Sequence, residues 1–212
     1  MDVEVERKFT EGIAALPLVA ILRGLQPHEA VDIGRVVVGA GWRLIEVPLN
    51  SPEPLKSIAA LVQALPDALV GAGTVLTAAA VRDVHAAGGR MIVAPNFSPE
   101  VVRAAVGLGM ACLPGVMTPS EAFAALDEGA AALKLFPAEM IPPAAVKALR
   151  AVLDPRTLVM PVGGISLDNL AAFRAAGASG FGIGSSLYQP GMSAAVVEAN
   201  ARRWAAAFRS GS

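Results

Sequence analysis

Eight short apolar runs rich in β-formers recur along this 212-residue chain at nearly constant spacing, and that repeat limits the possible folds more than any other feature. They cover 18–24, 43–49, 68–74, 90–96, 111–116, 132–138, 157–164 and 180–186, with starts 21 to 25 residues apart. That is the length of one strand, one helix and two short loops. The segments between them, such as 52–65 and 81–88, are alanine-rich with helical apolar spacing. Ser51-Pro52, Ser98-Pro99-Glu100, Thr118-Pro119-Ser120-Glu121 and Ser166-Leu167-Asp168 read as helix N-caps, with proline or acid in the first turn. Gly41, Gly88, Gly109, Gly129 and Gly177 each precede the next strand, where helix C-caps belong. Strands that are apolar almost throughout and joined by helices imply a parallel sheet covered on its outer face. Eight such units predict an α/β fold, a closed (β/α)8 TIM barrel, forming a single domain over residues 1–212. The first 16 or so residues precede the first strand and predict an extra amphipathic helix capping the barrel bottom. The alternative, an open doubly wound sheet, calls for G-x-G-x-x-G after an early strand. Gly71-Ala72-Gly73 and Gly182-Ile183-Gly184 each begin that pattern without its third glycine.

Composition narrows the partners. With 54% hydrophobic and 17% charged residues, the chain has ample material for a core. A formal net charge of -1 gives no basic footprint for nucleic acid and no cationic face for lipids. The acidic N-terminus lacks the basic and apolar regions of a signal peptide, and the uncharged stretch 68–81 is too short to span a bilayer. A cytoplasmic protein is expected. One cysteine, Cys112, and two histidines, His28 and His85, offer no zinc-like spacing, whereas a carboxylate-only magnesium site stays open. Cys112 reads as a packing residue and the histidines as surface helix positions.

In (β/α)8 enzymes chemistry lies where strands run into the following loops. Polar residues at those ends are Arg23, Glu46 with Asn50, Thr74, Asn96, Lys134, Gly163-Gly164 and Gly184-Ser185-Ser186. Lys134 stands out, because the chain uses only four lysines against 13 arginines and this one lies among Leu133, Leu135 and Phe136. Lys134 and Phe136 are two apart on a strand, so both point to one face, into the barrel mouth. Burial and a neighbouring Arg23 would lower the lysine pKa and free the amine as a nucleophile. A structural lysine paired with Glu46 or a glutamate elsewhere, or one that only holds a phosphate, is also compatible with the position. Glu46 in turn reads either as a general acid/base or as a counter-ion, and spacing does not separate the two. The glycine turns at the ends of strands seven and eight suit a phosphate held by backbone N–H groups and a helix N-terminus. Arg23 and Thr74 could grip a substrate carboxylate.

Taken together, GAGTVL at 71–76, PGVMTPSEA at 114–122, LKLFPAE at 133–139 and PVGGI at 161–165 resemble the 2-keto-3-deoxy-6-phosphogluconate aldolase family, class I pyruvate aldolases on a (β/α)8 barrel. The similarity runs from Pro17 to Phe208. AILRG at 20–24 and IEVPLNSP at 45–52 look like the branch acting on the galactonate epimer. The resemblance implies that Lys134 is the Schiff-base lysine, Glu46 the proton shuttle and Thr74 a carboxylate ligand. It implies further that Phe136 lines the substrate site and that Gly163, Gly164, Gly184 and Ser185 cradle the phosphate. Where the gluconate branch carries an arginine this chain has Asn50, which leaves Arg23 to hold the carboxylate. Where that branch has a threonine before the GGI turn, this chain has Val162. The expected reaction cleaves 2-keto-3-deoxy-6-phosphogalactonate to pyruvate and glyceraldehyde 3-phosphate with no metal or organic cofactor, in a homotrimer. The alternatives are the gluconate epimer as substrate, a phosphosugar isomerase or epimerase, and a non-catalytic phosphometabolite-binding barrel.

Overall fold

The computed structural model describes residues 1–210. Strands β1 (Leu18–Ile21), β2 (Leu44–Pro48), β3 (Leu69–Gly73), β4 (Met91–Val93), β5 (Ala111–Leu113) and β9 (Phe181–Ile183) form a six-stranded parallel sheet in the order β5-β4-β3-β2-β1-β9. This sheet curls into a half-barrel. A three-stranded parallel sheet joins β6 (Gly115–Val116), β7 (Leu133–Leu135) and β8 (Val159–Pro161). An isolated parallel bridge between Val162 and Gly182 links the end of β8 to β9. The run 111–116, expected as one strand, is divided at Pro114, which has no N–H to donate to a ladder. Its first half pairs with β4 and its second with β7, so the break hands the chain from one sheet to the other.

Alternation along each strand assigns two faces. Leu18, Ala20, Ile45, Val47, Val70, Ala72, Ile92, Cys112, Leu133, Leu135, Phe181 and Ile183 pack outward with the helices in one buried cluster. Val19, Leu44, Leu69, Met91, Val93, Ala111, Leu113, Ala132 and Met160 fill a second, inner cluster. Burying a side chain of this size is worth about 1.5–3 kcal/mol, so both faces are strongly committed. Slipping any strand by one residue would exchange its faces. Helix α1 (Val3–Ala15) lays Val5 and Phe9 on the inner cluster, against residues that start the strands. No helix among the described residues is long and apolar enough to cross a membrane.

Gly41, Gly88, Gly109, Gly129 and Gly177 all follow helices with φ between 69° and 99°, the left-handed conformation of a C-cap. Thr118 caps helix α6 (Pro119–Asp127) through a complete capping box with Glu121. Two expected caps lie elsewhere. Helix α3 (Pro54–Ala64) starts three residues past Ser51, and the Ser51 hydroxyl accepts from the Gly24 N–H at 2.9 Å instead. Helix α8 (Leu170–Ala175) has Asn169 rather than Ser166 at its N-cap, and Asn169 Oδ1 accepts from the Ser166 N–H at 2.9 Å. In both cases a side chain is drawn to a backbone group that the local pattern does not reveal. His85 lies in α4 (Ala78–Ala86), whereas His28 is in an exposed turn rather than a helix. Cys112 is fully buried, and burial pushes its thiol up to about 12, as befits a packing residue.

Candidate active site

The inward faces of the two sheets each carry one charged residue among apolar ones, and both residues line one small cavity. Lys134 is the central residue of β7 and is 6% exposed; Glu46, central in β2, is 2% exposed. The lysine Nζ lies 4.5 Å above the centroid of the Phe136 ring, so the two residues do share a face. Burial pulls the Lys134 pKa down, and Arg23 adds to that, against an opposing pull from Glu46. Burial likewise pushes the Glu46 carboxyl up to about 7, with Lys134 and Arg23 working the other way. Both shifts favour the neutral forms, which is the condition for a nucleophilic amine beside a carboxyl that exchanges protons near neutrality. No carboxylate among the described residues comes within ion-pair distance of Lys134, and Glu46 Oε2 has no hydrogen-bond partner among them. A purely structural salt bridge would have satisfied both groups.

A cleft of about 250 Å³ opens between the ends of β7, β8 and β9, lined by Arg23, Phe136, Glu139, Val162 and the two glycine turns. Ile21, Val162 and Gly182 wall both this cleft and the small cavity of about 10 Å³ that contains Lys134 and Glu46. The cleft and the cavity thus lie on either side of the same three residues. Larger depressions of about 410 and 490 Å³ lie elsewhere, one beside Asp2, Lys8 and Arg90 and one beside Phe123 and Val152. Neither contains a buried titratable group, and the convergence of such groups identifies a site better than volume does.

Gly163 and Gly164 adopt φ of 99° and 61°, which side chains rarely tolerate, and Asn169 Nδ2 donates to the Gly164 carbonyl at 2.8 Å to hold the turn. At Gly184 the reason for glycine differs. An added Cβ would meet nothing closer than Ile21 at 3.9 Å, so the missing side chain leaves room in the cleft rather than relieving the fold. Ser185 is exposed on the same rim. A helix N-terminus plays no part here: α8 starts only at Leu170, past the turn, and the intervening Ser166 N–H is taken by Asn169. Any anion bound would rest on the turns themselves.

Arg23 and Asn50, which are separate candidates in the sequence, are joined: Arg23 Nη1 donates to Asn50 Oδ1 at 2.6 Å, with both side chains on the exposed rim. The arginine keeps its other donors for a ligand. Three contacts hold this loop: Ser51 Oγ on the Gly24 N–H, Pro190 packed against Gly24, and the Tyr188 hydroxyl donating to Glu29 Oε1 at 2.6 Å. Thr74 follows β3 with φ of 57°, a strained choice for a threonine and the kind of outlier found at ligand sites. Asn96 turns to its own loop, its Nδ2 on the Phe97 carbonyl at 3.4 Å, and takes no part in the cleft.

Sequence reasoning missed Glu139, whose carboxylate overhangs Gly163 and Gly164, and also Ser51, Tyr188 and Asn169. Only Glu139 gave a signal, an acid directly after LKLFPA.

A parallel α/β fold with an amine and a carboxyl buried beside a cleft, between strand C-terminal ends, has the makings of a barrel-type enzyme. The comparisons with known proteins narrow this. Residues 9–201 match the family model described as KDPG and KHG aldolase, and the chain belongs to that family. It is 48% identical over 193 residues to the probable 2-dehydro-3-deoxy-6-phosphogalactonate aldolase of Rhizobium meliloti (strain 1021), covering 91% of each chain. Identity is also 48%, over 194 residues, to the 2-dehydro-3-deoxy-6-phosphogalactonate aldolase of Escherichia coli (strain K12), with 91% of this chain and 93% of that one covered. A solved native KDPGal structure, 46% identical, superposes with a TM-score of 0.90 over 92% of this chain and 96% of its own.

Proposed function

We propose that this chain is a class I aldolase that cleaves 2-keto-3-deoxy-6-phosphogalactonate to pyruvate and glyceraldehyde 3-phosphate. The observation that carries this reading is the pair of buried groups: a lysine held toward its neutral form, and a carboxyl raised to about 7 that lines the same small cavity. The neutral amine of Lys134 attacks the C2 ketone, and Glu46 relays the protons that allow water to leave and an iminium to form. The iminium accepts the electron pair of the breaking C3–C4 bond as Glu46 takes the C4 hydroxyl proton, and glyceraldehyde 3-phosphate departs. The enamine is then protonated, and hydrolysis releases pyruvate and the free lysine. Arg23, oriented by Asn50, and Thr74 hold the substrate carboxylate, while Phe136 lines its path. Gly163, Gly164, Gly184 and Ser185 receive the phosphate. The lysine itself supplies the electron sink, so the reading requires neither metal nor organic cofactor.

The architecture fits this role if the two sheets are read as one closed (β/α)8 barrel over a single domain, with α1 as an extra helix across its bottom. The Val162–Gly182 bridge, and the passage of the chain from β5 to β6 across Pro114 alone, support that closure. We place the protein in the cytoplasm, working on small metabolites without nucleic acid or membrane partners, as a homotrimer. An apolar groove with exposed Met117, Phe123 and Val152 supports self-association. Sedimentation at micromolar concentration should give about three times the 21.6 kDa chain mass, and a monomer would refute the trimer.

Preference between the two epimers at C4 rests on Asn50 together with Val162, which is buried and walls both the cleft and the cavity below it. Valine is close in shape to threonine but offers no hydrogen bond, so it gives the gluconate arrangement no advantage. One hydrogen bond is worth about 0.5–1.5 kcal/mol, roughly tenfold in specificity. The wild-type kcat/KM ratio should favour the galactonate compound while leaving measurable cleavage of the other. Val162→Thr should move the ratio toward gluconate by up to about tenfold. A wild-type ratio strongly favouring gluconate, or one that Val162→Thr leaves unmoved, would make the gluconate compound the better assignment.

A further inference from the structure

We propose that Gly73 is a positioning residue for the carbon–carbon cleavage: the absence of a side chain there is what lets the Glu46 carboxylate occupy its place in the mouth of the sheet. This inference rests on the reading of Glu46 as the proton carrier.

Gly73 ends β3 and pairs with Pro48 of β2, two residues beyond Glu46. Its inward side faces the carboxylate directly. A Cβ built there would lie 1.2 Å from Glu46 Oε2, 2.3 Å from its Cδ and 2.9 Å from Oε1, so all three nearest atoms belong to that one group. The neighbouring inward glycine provides a contrast. A Cβ at Gly71 would lie 1.8 Å from the Met91 carbonyl oxygen, a backbone atom that the β3–β4 pairing fixes. Gly71 serves the sheet; Gly73 serves a side chain. Its φ is outside the left-handed region, so alanine can adopt the same backbone.

The need for such a seat follows from how the carboxylate is held. Oε2, the oxygen nearest Gly73, is buried and has no hydrogen-bond partner among the described residues. A group tied by donors would be located by them, and its lone pairs would be engaged. This one is located by shape, which leaves the oxygen free to take and return a proton.

Gly73→Ala should lower kcat about 100-fold or more, the loss expected when a general acid/base leaves its position. Pyruvate should still be trapped on Lys134 by borohydride, because the amine is untouched. Glu46→Gln should then add little further loss, less than about threefold, where it costs its full factor in the wild-type background. A kcat for Gly73→Ala within threefold of wild type, or fully additive losses, would overturn the proposal. Should Gly73→Ala destabilise the protein, its loss in Tm must shrink in the Glu46→Ala background, and an undiminished loss would mean that the clash lies elsewhere and the proposal is wrong. Absence of pyruvate trapping in the wild type is a separate failure, one that removes the aldolase chemistry and leaves the coupling between residues 46 and 73 to be judged by stability alone.

Discussion

Lys134→Arg should give a folded protein with no aldol cleavage above background. A guanidinium keeps its proton under all accessible conditions and has no amine to condense with a ketone, so the step that creates the electron sink is lost outright. The fold should tolerate the change. Lys134 already lies over the Phe136 ring, and a guanidinium plane can stack on the same face while reaching toward the cleft. Far-ultraviolet dichroism and a thermal melt would verify folding beside the assay. Turnover near the wild-type rate in this variant would mean that the lysine serves only to bind, and the mechanism would be wrong.

Glu46→Gln should retain some capacity for the pyruvate adduct and cleave more slowly by about 10² to 10⁴, the range for a lost general acid/base. Stability should move in a way that a mere counter-ion would not produce. The Glu46 carboxyl has an ordinary value of 4.5 and is raised to about 7 in the folded state by burial. A raised carboxyl pKa means that the native state holds a proton the unfolded chain has released. Its stabilising contribution is complete below 4.5 and is lost as the pH rises to 7. At 1.36 kcal/mol per pH unit, the shift amounts to up to about 3 kcal/mol. Glutamine does not titrate, so urea denaturation at pH 4.5 and at pH 8 should show the variant gaining on the wild type by up to that amount. A wild type that does not lose ground to Glu46→Gln over this interval would place the carboxylate in a paired, already ionised state.

Much of this site is legible before any coordinates, and the reason is periodicity. Residues two apart on a strand share a face, so Lys134 and Phe136 are assigned together, and the rule that strand ends carry chemistry finds Arg23 and the glycine turns on one rim, with Glu46 buried below them at the centre of its strand. Helix-terminal glycines are equally readable, because a left-handed C-cap is a local demand. What fails to show is anything decided between distant segments. Ser51 before Pro52 has every mark of a helix cap, yet its hydroxyl is drawn to Gly24 across the β1–β2 pairing. The split at Pro114 depends on which neighbour each half of the strand finds. The Arg23–Asn50 bond, the Glu139 carboxylate over Gly163 and the seat that Gly73 makes for Glu46 all need the register of separate strands or loops. No spacing within one segment encodes them.

The central claim is that Lys134 forms a covalent imine with pyruvate, and reduction of that imine tests it most directly. The other three lysines serve as internal controls: Lys8 pairs with Glu4 at 3.0 Å, Lys56 pairs with Glu53, and Lys147 sits exposed in α7 (Pro143–Arg150). Of the four lysines only Lys134 is buried, and that burial pulls its pKa down. Treatment with borohydride in the presence of pyruvate, followed by peptide mass spectrometry, should find the reduced pyruvate adduct on the peptide containing Lys134, in step with loss of activity. Full activity after reduction, or an adduct carried by Lys8, Lys56 or Lys147 while Lys134 stays unmodified, would contradict the account.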